Sequence, residues 1–356
     1  MTMTVAQLGR PDAVAEVAVR IDEFFARMES MALPHGRRYA ELWSAARLSS
    51  EGGKRFRPAL VISAHQALGG DHHDDVVAVA TAFELLHTAF LLHDDVIDGD
   101  TMRRGRPNLV GAFAANASAG GASEASASSW GTASAILAGD LLIHAAQAQI
   151  ARLSIANDRR SALLDLLEET MFVTAAGELA DVAFGTGVEV PALDETLSMT
   201  QWKTAHYSFQ APLLAGAILA GAPSETLQAL GEFGHRIGVA FQLRDDVLGV
   251  FGSERVTGKS ASSDLRSGKV TPMMCYALQH DDDRELRNAL ALGVVTEQDE
   301  CRVRELLERS GAREFAETMI ADCTRTASMA LDSPAVPVSL REQLERVAHE
   351  ARERVS

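Results

Sequence analysis

The sequence predicts an all-α protein, and three observations carry that prediction. Apolar residues recur at helical spacing along almost the whole chain, and no stretch alternates convincingly as a strand. Ala and Leu dominate the periodic segments while aromatics make up only 5% of the residues, which favours helix on propensity as well as on pattern.

The elements follow in order. Val14, Val17, Ile21, Phe24 and Met28 mark one face of a first helix that starts at Asp12 behind Pro11. Punctuation at Gly52-Gly53, Gly69-Gly70, Gly99, Pro191, Gly221 to Pro223, the 252–270 segment and Pro334 to Pro337 divides the chain into about ten helices. The segment from about Asp74 to Asp98 is apolar nearly all round (VVAVATAFELLHTAFLL), so it must be a central, surrounded helix. A second apolar helix runs from about Glu225 to Phe251. Each carries its acids near its C-terminal end, and the two predict a shared polar pocket. The stretch 111–131 (GAFAANASAGGASEASASSWG) is rich in Ala, Ser and Gly with one charge, and predicts a mobile loop because it offers little to bury. Helical pattern resumes at once beyond it, so residues 1–356 are expected to form one domain, a large helical bundle around a central apolar cavity.

Composition narrows the function. With 33 Lys and Arg against 49 Asp and Glu the formal net charge is −16, which argues against a nucleic-acid partner, since phosphate backbones call for basic faces. A content of 47% hydrophobic and 23% charged residues with 10 Pro excludes disorder for most of the chain. Cys275, Cys301 and Cys323 form neither a metal-type pair nor a disulfide framework, which points to a reducing, cytoplasmic setting. The N-terminus lacks a basic region followed by an apolar stretch. The longest apolar run, Leu213 to Ala222, falls well short of the ~20 residues needed to span a bilayer, so no membrane anchor is expected.

Two acidic clusters carry the chemistry. In His93-Asp94-Asp95-Val96-Ile97-Asp98, Asp94 and Asp98 are four apart and share a helix face, where their carboxylates can converge on one cation. Mg²⁺ takes one or two carboxylates, several waters and substrate phosphate oxygens, which suits this pair. An isolated DDxxD is more often a solvated helix end, but here the preceding turns are apolar. The second cluster, Phe241-Gln242-Leu243-Arg244-Asp245-Asp246, lies on the helix that also holds Gly231, Gly234 and Gly238, which permit close helix contact.

Basic residues gather where an anion would need them. Gly52-Gly53-Lys54-Arg55-Phe56-Arg57-Pro58 precedes a helix, and Met102-Arg103-Arg104-Gly105-Arg106-Pro107 follows the first acidic cluster. Arginine forks, a lysine point charge and the free N–H groups of a helix start all suit a diphosphate. Lys259 and Lys269, in VTGKSASSDLRSGKVT, could close over the same anion. His87 lies seven residues before Asp94 and hence on the stripe of the acids; a lone histidine on an apolar helix is otherwise an ordinary core residue. Phe90, one turn before Asp94, could wall an apolar cavity or simply fill core.

Taken together, GGKRFRP, LLHDDVID with MRRGRPN, Lys203-Thr204, FQLRDD and the GKS…DLRSGK segment resemble the trans-type polyprenyl diphosphate synthases, in order and spacing, from about Glu51 to Thr271. The resemblance implies the isoprenoid synthase type of all-α fold and a homodimer. It also implies a Mg²⁺-dependent head-to-tail 1′-4 condensation of isopentenyl diphosphate with an allylic diphosphate, releasing diphosphate. It assigns the metal to Asp94, Asp98 and Asp245 with Asp95 and Asp246 in support, and isopentenyl diphosphate to Lys54, Arg57, His87 and Arg104. The allylic diphosphate falls to Arg103, Lys203, Thr204, Gln242, Lys259 and Lys269. Inside an apolar cavity the Thr204 hydroxyl and the Gln242 amide oxygen would stabilise the carbocation, with Lys203 beside them and water excluded. The departing diphosphate is the expected base.

The sequence departs from the family pattern at two places. Gly249 stands where a third Asp is usual in the second acidic motif, and Glu178, in the segment ending at Asp181, stands where Gln is commoner. Product length in the family follows side-chain bulk just before the first Asp. Small Ala89 leaves room while Phe90 limits depth, which points to geranylgeranyl diphosphate, with farnesyl and longer products as alternatives. Two rivals are a class I terpene cyclase and a non-catalytic regulatory subunit. A cyclase would carry an Asn/Ser/Glu-type second motif and leave Lys54, Arg57 and Arg104 without a role; a regulatory subunit would have lost its acidic clusters.

Overall fold

A computed structural model describes Leu8, residues 11–252, Leu265 and residues 269–280, 284–291, 293–294 and 296–353. The elements are α1 (Pro11–Ala32), a 3-10 turn at Leu33–His35, α2 (Arg37–Ser50), α3 (Phe56–Ala67) and α4 (His73–Ile97). A two-residue ladder, β1 (Met102–Arg103) with β2 (Arg106–Pro107), precedes α5 (Leu109–Ala119), α6 (Glu124–Ala151), α7 (Asn157–Gly185) and α8 (Leu193–Thr200). A π-helix at Gln201–Gln210 leads into α9 (Ala211–Ala220) and α10 (Ser224–Phe251). Among the described residues, five further helices follow: α11 (Pro272–Gln279), α12 (Glu285–Ala291), α13 (Glu297–Arg309), α14 (Ala312–Ala330) and α15 (Val338–Glu353). The all-α expectation holds, and the central helices fall within a residue or two of where periodicity placed them.

The chain divides into two compact units: Val5–Asp165 with Ala215–Gly221, and Leu166–Leu214 with Ala222–Ser356. In the first, α4 packs against α6, α3 and α1. Helix α4 is long and apolar enough to cross a membrane, but 78% of its most apolar window is buried inside the protein, as a core helix requires. Helix α1 buries Ala13, Val17, Ile21, Phe24 and Phe25, a stripe of four- and three-residue steps, and the two phenylalanines pack edge-on around Trp43 of α2. Each fully buried phenylalanine of this kind contributes about 1.5–3 kcal/mol through removal from water.

One expectation is overturned here. Residues 111–131 do not form a loop: they lie in α5 and α6, joined by a turn at Gly120–Ser123. Asn108 caps α5, accepting from Gly111 N at 2.9 Å, and Ser123 caps α6, accepting from Ser126 N at 3.2 Å. The small side chains serve close packing. A Cβ on Gly131 would stand 2.4 Å from the Val110 carbonyl oxygen, and the Phe113 and Trp130 rings meet 5.8 Å apart. Alanine's helix propensity and the intimate α5–α6 contact supply the order that composition alone suggested was missing.

In the second unit α10 packs on the π-helix, α14 and α15. Gly234 and Gly238 do bring backbones together, since added Cβ atoms would stand 2.5 Å from the Cα atoms of Gln210 and Ala205 respectively; Gly231 has only ordinary contacts.

Candidate active site

On α4 a partly exposed stripe interrupts an otherwise buried helix. His87, Phe90, Leu91 and Asp94 are partly exposed and Asp98 is exposed, whereas Ala89, Leu92 and Asp95 are buried. The three- and four-residue steps place His87, Phe90, Asp94 and Asp98 along one line, as their spacing predicts. Ala89 lies off that line, fully buried in the helix packing, so of the two residues expected to set product length only Phe90 shares the stripe of the acids.

The two aspartates of the first pair are not equivalent. Asp95 is 2% exposed and accepts from Arg103 Nε at 2.8 Å, while Arg103 Nη2 reaches Asp94 Oδ2 at 3.1 Å. Burial pushes the Asp95 carboxyl up from its ordinary value, and the Arg103 hydrogen bond opposes this. Burial by itself would lower Arg103, but the Asp95 and Asp94 carboxylates hold it above the usual guanidinium value. Asp95 therefore anchors the hairpin arginine, and Asp94 and Asp98 are left on the accessible side. His93 secures the same end of α4: its Nε2 lies 3.3 Å from the Ile136 carbonyl oxygen and 3.4 Å from Asp140, over Gly139, whose absent Cβ makes room for the ring.

The basic loops converge within this unit. Arg104 sits at φ 54° in the turn of the β1–β2 hairpin and donates to the Glu51 carbonyl. Arg106 donates to the Glu51 carboxylate at 3.1 Å and to the Leu48 carbonyl. Lys54 is exposed and Arg57 partly so. His87 is held well below its ordinary pKa, first by burial and then by the charges of Arg57, Arg104, Arg103 and Arg55, so it is a neutral ring among cations. Sequence reasoning named Arg55 only as part of the basic run before α3, with no role of its own, and missed Glu84. Arg55 caps α3 in the left-handed region (φ 51°, ψ 37°), a conformation that costs an L-residue about 1–2 kcal/mol, and its Nη1 lies 2.5 Å from Glu84 Oε1. A single glutamate in so apolar a helix was the available signal, because such a charge stays buried only when paired.

The second unit repeats the inequality. Asp246 is 3% exposed and accepts from Gln242 Nε2 at 2.9 Å, whereas Asp245 and Gly249, four apart, are partly exposed. Arg244 points into the protein, donating twice to Glu317 at 2.7 Å and to the Arg352 carbonyl at 2.7 Å, which ties α10 to α14 and α15. The π-helix carries Lys203 and Thr204, both partly exposed; such departures from α geometry often mark functional segments. Lys203 Nζ binds Glu178 at 3.0 Å and Asp181 at 2.5 Å, and Gly177 lets α7 come so near that a Cβ there would stand 2.2 Å from Lys203 N. Lys269 is described and partly exposed; Lys259 lies outside the described residues.

Carboxylates are hard oxygen donors of the kind Mg²⁺ takes, and Asp94 and Asp98 in the first unit, like Asp245 in the second, present theirs on accessible faces. Among the described residues no three His, Cys, Asp or Glu side chains gather closely enough to hold a metal unaided. Mg²⁺ is a metal that completes its shell with water and phosphate oxygens.

An all-α chain with two unequal aspartate pairs and a converging set of arginines carries the groups that a diphosphate-handling enzyme needs. A family model described as polyprenyl synthetase matches residues 42–309. The chain is 35% identical over 86% of its length, and 82% of the relative's, to a (2E,6E)-farnesyl diphosphate synthase of Mycobacterium tuberculosis. It is 36% identical, over 67% of its length and 68% of the relative's, to a geranylgeranyl diphosphate synthase of Methanosarcina mazei. Its fold is similar to the crystal structure of geranylgeranyl pyrophosphate synthase from Corynebacterium glutamicum complexed with isoprenyl diphosphate and magnesium, with a TM-score of 0.88, 29% identity and coverage of 96% of this chain and 98% of that one. The chain belongs to the polyprenyl synthetase family and is a prenyltransferase of the trans, short-chain isoprenyl diphosphate synthase type.

Proposed function

We propose that this protein condenses isopentenyl diphosphate head-to-tail with an allylic diphosphate, using Mg²⁺, and that its main product is geranylgeranyl diphosphate. The observation that carries the reading is the stripe His87–Phe90–Asp94–Asp98 on a buried helix, flanked by Arg55, Arg57, Arg103 and Arg104. Both units belong to one catalytic domain, and the working form is a cytoplasmic homodimer.

Asp94, Asp98 and Asp245 would hold Mg²⁺, with Asp95 and Asp246 keeping Arg103 and Gln242 in place. When bound, the metal supplies Lewis-acid neutralisation of the allylic diphosphate leaving group. Arg103, Lys203, Lys259 and Lys269 share that neutralisation, and Lys54, Arg57, His87 and Arg104 orient isopentenyl diphosphate. Because Gln242 donates its amide N–H to Asp246, its carbonyl oxygen is the atom left to face positive charge, which suits stabilisation of the allylic cation alongside Thr204. The new carbon–carbon bond forms between C1 of the allylic cation and C4 of isopentenyl diphosphate, and the released diphosphate takes the proton lost in the elimination.

Farnesyl diphosphate is the second reading for the product, favoured by the name of the Mycobacterium tuberculosis relative. Consumption of labelled isopentenyl diphosphate by the purified protein, with a metal-chelated control, tests the reaction. Incorporation that stops on chelation is expected. Conversion of an allylic diphosphate to hydrocarbon without isopentenyl diphosphate would show a cyclase instead, and activity only after a partner is added would show a regulatory subunit.

A further inference from the structure

Between Lys54 and Arg57, the chain passes through a left-handed turn at Arg55, a residue ill suited to it. Arg55 is one of three described non-glycine residues with positive φ, and Arg104, across the same cluster, is another. A bulky side chain holds a left-handed backbone only where its surroundings over-determine it. At Arg55 the surroundings are the Glu84 carboxylate, 2.5 Å from Nη1, in a pair whose side chains are 16% and 6% exposed.

Glu84 is the hub of more than this pair. A Cβ on Gly53 would stand 3.5 Å from Glu84 Oε1 and 4.0 Å from Arg104 Nη2, and one on Gly52 would stand 3.4 Å from Arg104 Nη1. The loop therefore lies in ordinary contact with the Glu84 carboxylate and the Arg104 fork, and Gly52, at φ 78°, supplies the backbone conformation that brings it there. Burial first, and then the charges of Arg103, Arg106 and Arg55, disfavour the charged Arg104 guanidinium, and Glu84 opposes them in part. Its position one turn before His87 places it under the neutral ring that those arginines surround.

We propose that the buried Arg55–Glu84 pair is the positioning device of the isopentenyl diphosphate cradle, fixing the loop so that Lys54 and Arg57 stand ready beside Arg104 before substrate arrives. Neither residue touches substrate; the pair acts through the backbone turn at Arg55 and through the charge of Glu84. The inference rests on the reading of this cluster as the isopentenyl diphosphate site.

The test compares Glu84→Gln, which keeps shape and removes charge, with Arg55→Gly, which relieves the left-handed turn but removes the pair. KM for isopentenyl diphosphate, KM for the allylic diphosphate, kcat and melting temperature are measured for each, and for the double variant. KM for isopentenyl diphosphate should rise roughly tenfold in each single variant. The allylic KM should stay within about twofold, and the double variant should be no worse than the singles, as residues acting through one contact require. Should Glu84→Gln fail to fold, Arg55→Gly and Arg55→Lys carry the same comparison. An unchanged KM for isopentenyl diphosphate in a folded variant, or a rise in both KM values that tracks the melting temperature, would overturn the role of the pair. Wild-type protein that consumes no isopentenyl diphosphate with any primer would instead overturn the functional reading beneath it.

Discussion

The Lys203 ammonium is bound by Glu178, whose two carboxylate oxygens lie 3.1 and 3.0 Å from Nζ, and the Asp181 carboxylate closes on it from one turn further along α7. Two carboxylates on one ammonium leave the triad with a net charge of −1, where a glutamine at 178 would leave it neutral. The residue that stood out in the sequence as an unexplained extra charge is thus the partner of a proposed diphosphate ligand.

Glu178→Gln should strengthen the hold on the allylic diphosphate, because Lys203 would then face the substrate without a surplus negative charge beside it. About 1 kcal/mol, or roughly fivefold in KM, is the scale for a partly exposed pair. Steady-state kinetics with isopentenyl diphosphate saturating measures it; an unchanged or higher allylic KM would contradict the idea.

The inequality within each aspartate pair predicts different failures. Asp94→Ala and Asp245→Ala should lower kcat by about a thousandfold or more, since they remove proposed metal ligands on accessible faces. Asp95→Ala and Asp246→Ala remove buried anchors instead, and should cost stability as well as activity, because Arg103 and Gln242 lose their acceptors. Melting curves run beside activity assays separate the two behaviours.

His65 makes the fold acid-sensitive. It is 1% exposed with neither ring nitrogen hydrogen-bonded, and burial, aided by the charge of His72 and countered by Asp71, pushes its pKa down to about 4. The unfolded chain, with an ordinary histidine pKa near 6.5, takes up this proton first as pH falls. Its contribution is therefore fully present above about pH 6.5 and is lost as pH drops towards 4, about 3 kcal/mol in all. Urea denaturation at several pH values should show that loss, and His65→Leu should flatten it.

Phe90→Ala should lengthen the product, because Phe90 is the bulky side chain one turn below Asp94 on the accessible stripe. Substitution at Ala89, which is fully buried, should instead destabilise the fold by about 1–3 kcal/mol through overpacking. Chromatography of the prenyl products and thermal unfolding distinguish these effects.

Helical periodicity in the sequence was enough to locate α4 and α10 and the stripe from His87 to Asp98, because an apolar run and a four-residue step constrain a helix and its faces directly. The partners of the buried acids were not legible. Spacing tells which aspartates share a face, but not that Arg103 folds back from a hairpin onto Asp95 or that Gln242 turns to Asp246. The Ala/Ser/Gly segment at 111–131 misled for a related reason: its order comes from α5 and α6 packing against each other, a tertiary contact that composition does not record. Arg55 and Glu84 are 29 residues apart, and only the fold brings them together.

The most direct measurement incubates the purified protein with Mg²⁺, labelled isopentenyl diphosphate and dimethylallyl, geranyl or farnesyl diphosphate in turn, and resolves the products by chain length, with Asp94→Ala alongside. A geranylgeranyl product that disappears in the variant is the expected result. No incorporation with any primer, or equal incorporation by Asp94→Ala, would contradict the proposed condensation at this site.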